Sequence, residues 1–347
     1  MSAINYGKNI LIHDIDGYRI LLDTNDLHMS IHMIENRVWE PQIREILKCL
    51  LKQDGVYVDV GSNIGLHTVY AAGLLKNKNG RVYAIEPNID VYNILRKNVD
   101  INGFFDVVSM YNIGISDKNT KGNIYIYNGH AGGSGLGITD EFHTDYVQQE
   151  IEITTLDKLL EKKHIDILKI DVEGFEANVL RGAVSVLEFN PDITIIMEWN
   201  PKLIQKNTGE KSLEYIFELI RTHGYNVYLA KFMHSLKQYE ANDLDVLLLE
   251  RGDLILTKQE CINNLISKSV LDESVITQNQ SKKEIEFRKQ ASDEPVITQN
   301  ELKKEIEFGK QAFDEAVIVQ NELKKIIYEP TINDVWYCIK RYFKNKL

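Results

Sequence analysis

The stretch Val56-Tyr57-Val58-Asp59-Val60-Gly61-Ser62-Asn63-Ile64-Gly65 constrains this chain more than any other. Four β-favouring residues and an acid run straight into a Gly-x-x-x-Gly turn, and the residues from Leu66 to Leu75 then read as a helix. Strand, glycine turn and helix in that order is the geometry of a nucleotide-type cofactor site. The glycines are expected to let the backbone approach a ligand more closely than a Cβ would allow.

The flanking sequence repeats this rhythm. Strands are predicted at 56–60, 81–85, 106–111, 165–170, 193–198, 225–230 and 244–250. Helices are predicted at 64–76, 90–102, 175–188 and 211–223. Alternation at this spacing argues an α/β fold, a mainly parallel sheet with helices on both faces. Ile165–Ile170 and Ile193–Met197 are apolar enough to be central strands. Ahead of the sheet, residues 10–23 read as a hairpin turning at Asp16-Gly17, and Pro41 suits the first turn of a helix running to about Leu51. Residues 122–155 break the rhythm. They read as a strand, a glycine-rich loop over 129–137 flanked by His130 and His143, and a returning strand. A long loop inside an α/β domain is expected to act as a lid over an acceptor.

The net charge of −11 argues against a general nucleic-acid binder, because phosphate neutralisation needs a basic face. Cys49, Cys261 and Cys338 lack metal-ligand spacing and read as reduced thiols. Residues 1–10 carry no apolar signal core, and no run approaches the ~20 apolar residues needed to span a bilayer. A cytoplasmic location is therefore expected. After residue 252 the character changes. Residues 274–294 recur at 295–315 with a period of 21, and a truncated third copy begins at Ala316. Heptad registers place Pro295 and Gly309 on the seam, so amphipathic helices are expected rather than a coiled coil. The last 17 residues, 331–347, carry Trp336, Ile339, Tyr342 and Phe343 beside Lys340, Arg341, Lys344 and Lys346. Such a basic amphipathic helix fits a membrane surface, a protein partner or its own chain. The expected division is an N-terminal hairpin and helix at 1–52, a catalytic domain at 53–252, a helical repeat tail at 253–330 and the basic helix at 331–347.

A dinucleotide site would want Gly-x-Gly-x-x-Gly, which the turn lacks. The next strand ends at Glu86, where a carboxylate can accept both ribose hydroxyls. Asp59, two residues before the first glycine, favours a cationic ligand over an anionic pyrophosphate. S-adenosylmethionine carries a sulfonium and an ammonium, and it is the cofactor these two acids select. An NAD enzyme of the same sheet class and a scaffold that recruits partners through the tail are the competing readings.

Val58 to Gly65, Ala84-Ile85-Glu86-Pro87-Asn88, Thr155-Leu156-Asp157, Leu168 to Glu176 and Val179 to Ala183 together resemble the FkbM-type family of S-adenosylmethionine-dependent methyltransferases. The run Lys169-Ile-Asp-Val-Glu-Gly-Phe-Glu176 is the specific part, and the resemblance covers roughly residues 35–250. It implies a Rossmann-like, seven-stranded sheet with a reversed last strand, and O-methylation of a hydroxyl on a sugar, glycan or other small metabolite. By motif, Asp59, Gly61, Asn63 and Gly65 are implied to line the methionine end of the cofactor. Glu86 is implied to hold the ribose, with Asn88 beside it, and an acid or amide of the Asn112–Asp117 stretch, with Asp117 as the candidate, to meet the adenine.

Methyl transfer from a sulfonium needs an aligned acceptor oxygen and a base for its proton. Asp171 and Glu173 at one strand end are the first candidates for that base, and His67 in the helix after the turn is the next. No metal is required. The oxygen ligands Asp171, Glu198 and Asn200, at two neighbouring strand ends, are the alternative, with Mg²⁺ acidifying the acceptor hydroxyl.

Overall fold

The computed structural model describes residues 4–5, 10–23, 26, 29–37, 39–127, 130–135, 146–231, 236–240 and 243–262. The helical repeats, the basic terminal helix, Gly137, His143 and Cys338 lie outside them.

The central sheet is built from β1 (Val56–Val60), β2 (Arg81–Ile85), β3 (Val108–Tyr111), β4 (Ile167–Ile170), β5 (Thr194–Trp199), β6 (Asn226–Ala230), β7 (Leu236–Tyr239) and β8 (Gly252–Thr257). Their spatial order is β7-β6-β8-β5-β4-β1-β2-β3. The five strands from β5 to β3 run parallel, whereas β8 lies antiparallel between β5 and β6. Seven strands with a reversed last strand are thus present, with β7 added as an antiparallel edge.

Two expectations fail at the reversed strand. Residues 244–249 form a 3-10 helix instead of the closing strand. The apolar run Leu-Asp-Val-Leu-Leu-Leu does not separate the two outcomes, and Leu249 is 91% exposed. The slot between β5 and β6 is taken by Gly252–Thr257, whose last four residues are buried. The sheet domain therefore runs past the expected boundary at 252, through Thr257.

Helices α1 (Pro41–Leu50), α2 (Leu66–Leu75), α3 (Ile89–Ile101), α4 (Glu176–Arg181), α5 (Val184–Phe189), α6 (Pro201–Thr208) and α7 (Lys211–His223) complete the layers. The single helix expected at 175–188 is two, broken at Gly182-Ala183. One apolar cluster joins Val58, Val60, Leu168 and Ile170 to α4, α5 and α7. A second joins Tyr57, Ile167, Val82 and Ala84 to α1, α2 and α3. Strand alternation explains the division, because successive side chains leave opposite faces of the sheet.

The hairpin forms as expected, with Ile10–Ile15 paired to Tyr18–Asp23 and positive φ at both Asp16 and Gly17. It is docked on α3 by amides. Asn98 accepts from Leu21 N at 2.7 Å and donates to Ile64 O at 2.8 Å, while Asn102 accepts from Arg19 N at 3.0 Å. Asn98 thereby ties the hairpin to the glycine turn.

A second, four-stranded sheet holds Gly114–Ile115, Tyr146–Thr154, Thr120–Tyr127 and His130–Gly135 in that spatial order. Its last strand corrects the expected loop at 129–137: residues 130–135 pair antiparallel with 120–127. Ile124 and Ile151 of this sheet reach the cavity described next.

Candidate active site

A cavity of about 280 Å³ opens at the carboxyl ends of β1, β2, β4 and β5, where open α/β sheets bind ligands. Its floor is the turn Gly61-Ser62-Asn63-Ile64. Gly61 has φ 78°, and a Cβ there would run into the Asp171 carbonyl oxygen. Gly65 has φ 87°, and its Cβ would meet the Leu95 side chain. The two glycines are thus required by the protein's own packing, which closes β1 against β4 and seats α2 on α3.

Glu86 ends β2 and lines the cavity. Its two oxygens accept the Asn63 amide at 3.0 Å and the Asn88 amide at 2.9 Å. Burial raises its pKa to about 7, and the two amide donors partly offset the shift. The carboxyl is therefore fixed in place while keeping acceptor capacity for a vicinal diol.

Asp59 is fully buried and stands behind the turn rather than on the cavity wall. Alternation sends it to the α2 side with Tyr57, where its Oδ2 accepts the Thr68 hydroxyl at 2.6 Å. Its register partner on β4 is Lys169. Lys169 lines the cavity and its Nζ lies 2.8 Å from Asp171 Oδ2. Burial alone would lower the Lys169 pKa, but the Asp171, Asp59 and Glu40 carboxylates outweigh it and raise it, so the amine stays charged.

The acids of the β4 and β5 ends converge as expected. Asp171, Glu173 and Glu198 each place a carboxyl oxygen within 4.8 Å of the other two. Burial first, and Asp171 next, raise Glu173 to about 8 and Glu198 to about 10. Glu198 Oε2 is sealed from solvent and has no hydrogen-bond partner. The oxygen set that could hold a metal is therefore Asp171, Glu173 and Glu198. Asn200 does not join it, because its side chain caps α6 by accepting from Leu203 N at 3.4 Å.

His67 lines the same cavity with its Nε2 2.8 Å from Glu40 Oε2. Burial and the nearby Lys169 lower its pKa to about 4, so the imidazole is neutral at pH 7. Burial raises Glu40 to about 7. Nδ1 of His67 is buried without a partner.

Two further candidates are placed elsewhere. Asn88 is the N-cap of α3, its side chain accepting from Asp90 N at 3.1 Å. Asp117 is exposed and bonded to the Ser116 hydroxyl at 3.1 Å. From the stretch after β3 it is Ile113, Gly114 and Ile115 that face the cavity, while Asn112 ties the Glu86 and Pro87 carbonyls at 2.8 and 2.9 Å. An apolar slot rather than an acid thus adjoins Glu86, which suits the flat face of a purine.

Asp26, Trp39 and Glu40 from the N-terminal segment and Asp253 of β8 also line the cavity, without any site motif to announce them. Trp39-Glu40-Pro41 carried one legible signal, an aromatic and an acid just before a helix-starting proline. Asp253 carried none, since its place depends on β8 entering beside β5.

Residues 59–227 match the methyltransferase FkbM domain. The chain is 26% identical over 186 residues to the hexuronic acid methyltransferase AglP of Haloferax volcanii, covering 52% of this chain and 71% of that protein. It is 27% identical over 154 residues to the methyltransferase sdnD of Sordaria araneosa, covering 36% of this chain and 59% of that one. Among solved structures, the methyltransferase FkbM of Methylobacillus flagellatus aligns over 58% of this chain and 44% of its own at 17% identity, with a TM-score of 0.37.

Proposed function

We propose, from the match of residues 59–227 to the methyltransferase FkbM domain, that this chain uses S-adenosylmethionine to O-methylate a hydroxyl of a sugar, glycan or other small metabolite. The observation that carries the reading is the pairing in one cavity of Glu86, locked by two backbone amides, with a wall of further carboxylates.

The residues fit the cofactor. Glu86 would hold the ribose hydroxyls, and Ile113 and Ile115 would flank the adenine. The turn at 61–64 would face the methionine end. S-adenosylmethionine, when bound, supplies a sulfonium methyl group whose bonding pair stays on sulfur as the methyl passes to a nucleophilic oxygen.

The chain's own contribution is to orient the acceptor oxygen and remove its proton. Asp171 already accepts the Lys169 ammonium on one oxygen at 2.8 Å, which engages it within the protein. Glu173, raised to about 8 by burial and Asp171, has the basicity that proton transfer near neutral pH calls for. It is the base in this reading. His67, neutral and fixed by Glu40, positions the acceptor from the opposite wall.

Calorimetry on the full chain tests the proposal. S-adenosylmethionine should bind in the micromolar range, NAD should not, and Glu86→Ala should abolish the binding. Binding of NAD, or of neither compound, would sink it.

A further inference from the structure

The cavity wall is far more acidic than one S-adenosylmethionine requires. Asp171, Glu173, Glu198 and Asp253 all line it, and among the described residues Lys169 is the one lysine or arginine that does, already bonded to Asp171. Glu198 and Asp253 are direct cross-strand partners on β5 and β8. Like charges placed opposite one another in a ladder are destabilising unless something positive lies between them. Glu176 lies behind this wall rather than on it. It is 1% exposed, with one oxygen on the Val172 and Gly174 amides at 3.2 and 3.1 Å, and its other oxygen has no partner. Within the protein, Lys169 bonds to Asp171 and Gln42 donates to Asp253 at 3.1 Å, while Glu198 Oε2 has no partner.

From these placements, and resting on the methyltransferase reading, we propose that the acceptor is a cationic amino alcohol, in chemical class an amino sugar. Its ammonium sits between Asp171 and Glu198, and its neighbouring hydroxyl faces Glu173. A primary ammonium presents three donors and no acceptor, which matches carboxyl oxygens gathered within 4.8 Å. Held in that way the nitrogen has no lone pair, so it anchors the acceptor and does not attack. The adjacent hydroxyl, whose proton passes to Glu173, is the atom left to be methylated. Trp39, which also lines the cavity, offers an indole for the sugar ring or its cation. A uronate is the opposite case. Its carboxylate would enter a wall that already holds more acids than cations, so the acceptor class differs from the one in the name of the Haloferax relative.

The test uses the full chain loaded with S-adenosylhomocysteine and three methyl glycosides, of glucosamine, glucose and glucuronate. Saturation-transfer NMR reads their binding without turnover. The glucosamine glycoside should bind about tenfold or more tightly than the glucose glycoside, the scale of one charge-assisted hydrogen-bonded contact, and the glucuronide least. Glu198→Gln should cut that preference to below about threefold while S-adenosylhomocysteine affinity stays within about twofold. Equal or tighter binding of the glucuronide, or no binding by any of the three, would overturn the proposal. A parallel loss of S-adenosylhomocysteine affinity in Glu198→Gln would also overturn it, by giving the acids to the donor's own ammonium. Tight Mn²⁺ binding that displaces the glucosamine glycoside would overturn it in favour of a metal site. Failure of S-adenosylhomocysteine to bind the unsubstituted chain would count separately, against the methyltransferase reading.

Discussion

Glu198→Gln should make this protein more stable, and only at higher pH. Burial, with Asp171 and Glu173 nearby, pushes Glu198 up to about 10 from an ordinary 4.5. A carboxyl with a raised folded-state pKa binds its proton more tightly when folded than when unfolded. Its contribution is therefore fully present below about pH 4.5 and is lost as pH rises toward the folded value. At pH 7.5 the unfolded chain has released the proton and the folded chain still holds it. Each pH unit above 4.5 costs at most about 1.36 kcal/mol, which sets a ceiling of about 4 kcal/mol at that pH. Water penetration and rearrangement of the acids reduce this to about 1–2 kcal/mol. Glutamine keeps the shape, carries no charge and offers an amide donor to Asp171 and Glu173. Urea unfolding of both proteins at pH 5 and pH 8 checks the argument. The two should agree within about 0.5 kcal/mol at pH 5, and the variant should be about 1–2 kcal/mol more stable at pH 8. A variant that is less stable at pH 8, or a difference that does not change with pH, would refute it.

Two further outcomes follow from the packing around the turn. Gly61→Ala places a Cβ on a residue with φ 78° and against the Asp171 carbonyl, so denaturant unfolding should show a loss of at least about 2 kcal/mol. Asn98→Ala removes the bonds to Leu21 and Ile64 and leaves a buried amide donor without a partner. It should cost about 3 kcal/mol, with hydrogen exchange at the Leu21 amide accelerated in step; an unchanged exchange rate there would show that the hairpin is held by its apolar contacts alone.

The parallel part of the sheet was legible because its strands are local, whereas the reversed strand was misplaced. Val56–Val60 and Ile167–Ile170 are short β-branched runs bounded by turn residues, and such runs find one another in a parallel layer whatever the loops between them do. Glu86 and the Lys169–Glu176 run were legible for the same reason, since a strand end in this fold class has one place to go. Asp59 reads from the sequence as a carboxylate facing a cationic ligand, and the structure buries it behind the turn instead. Whether it faces ligand or helix depends on the register of the pleat against α2, where Thr68 claims it. The wall contributed by Asp26, Trp39, Glu40 and Asp253 depends on contacts between segments far apart in sequence. Gln42 bonded to Asp253 at 3.1 Å, 211 residues away, is one such contact, and no local pattern announces it.

Costs that a stable sheet would avoid are gathered at this cavity. Seven non-glycine residues among those described have positive φ, and Glu40, Asn63 and Glu173, at 42°, 50° and 54°, all line it. Glu40 and Glu173 are there in a backbone region that asparagine or glycine would occupy with less strain. Both also carry carboxyls raised by burial, and the Glu198–Asp253 pair opposes two more acids across one ladder position. Strain and charge repulsion have separate physical origins, and packing alone gives no reason for them to coincide. A ligand that is positive and rich in donors removes the second cost while using the placement that the first one fixes. The surrounding layers are ordinary apolar packing, with Val58, Leu168, Ile195 and Leu256 each at 0% exposure. Rigid layers of that kind can hold such a wall in place until its ligand arrives.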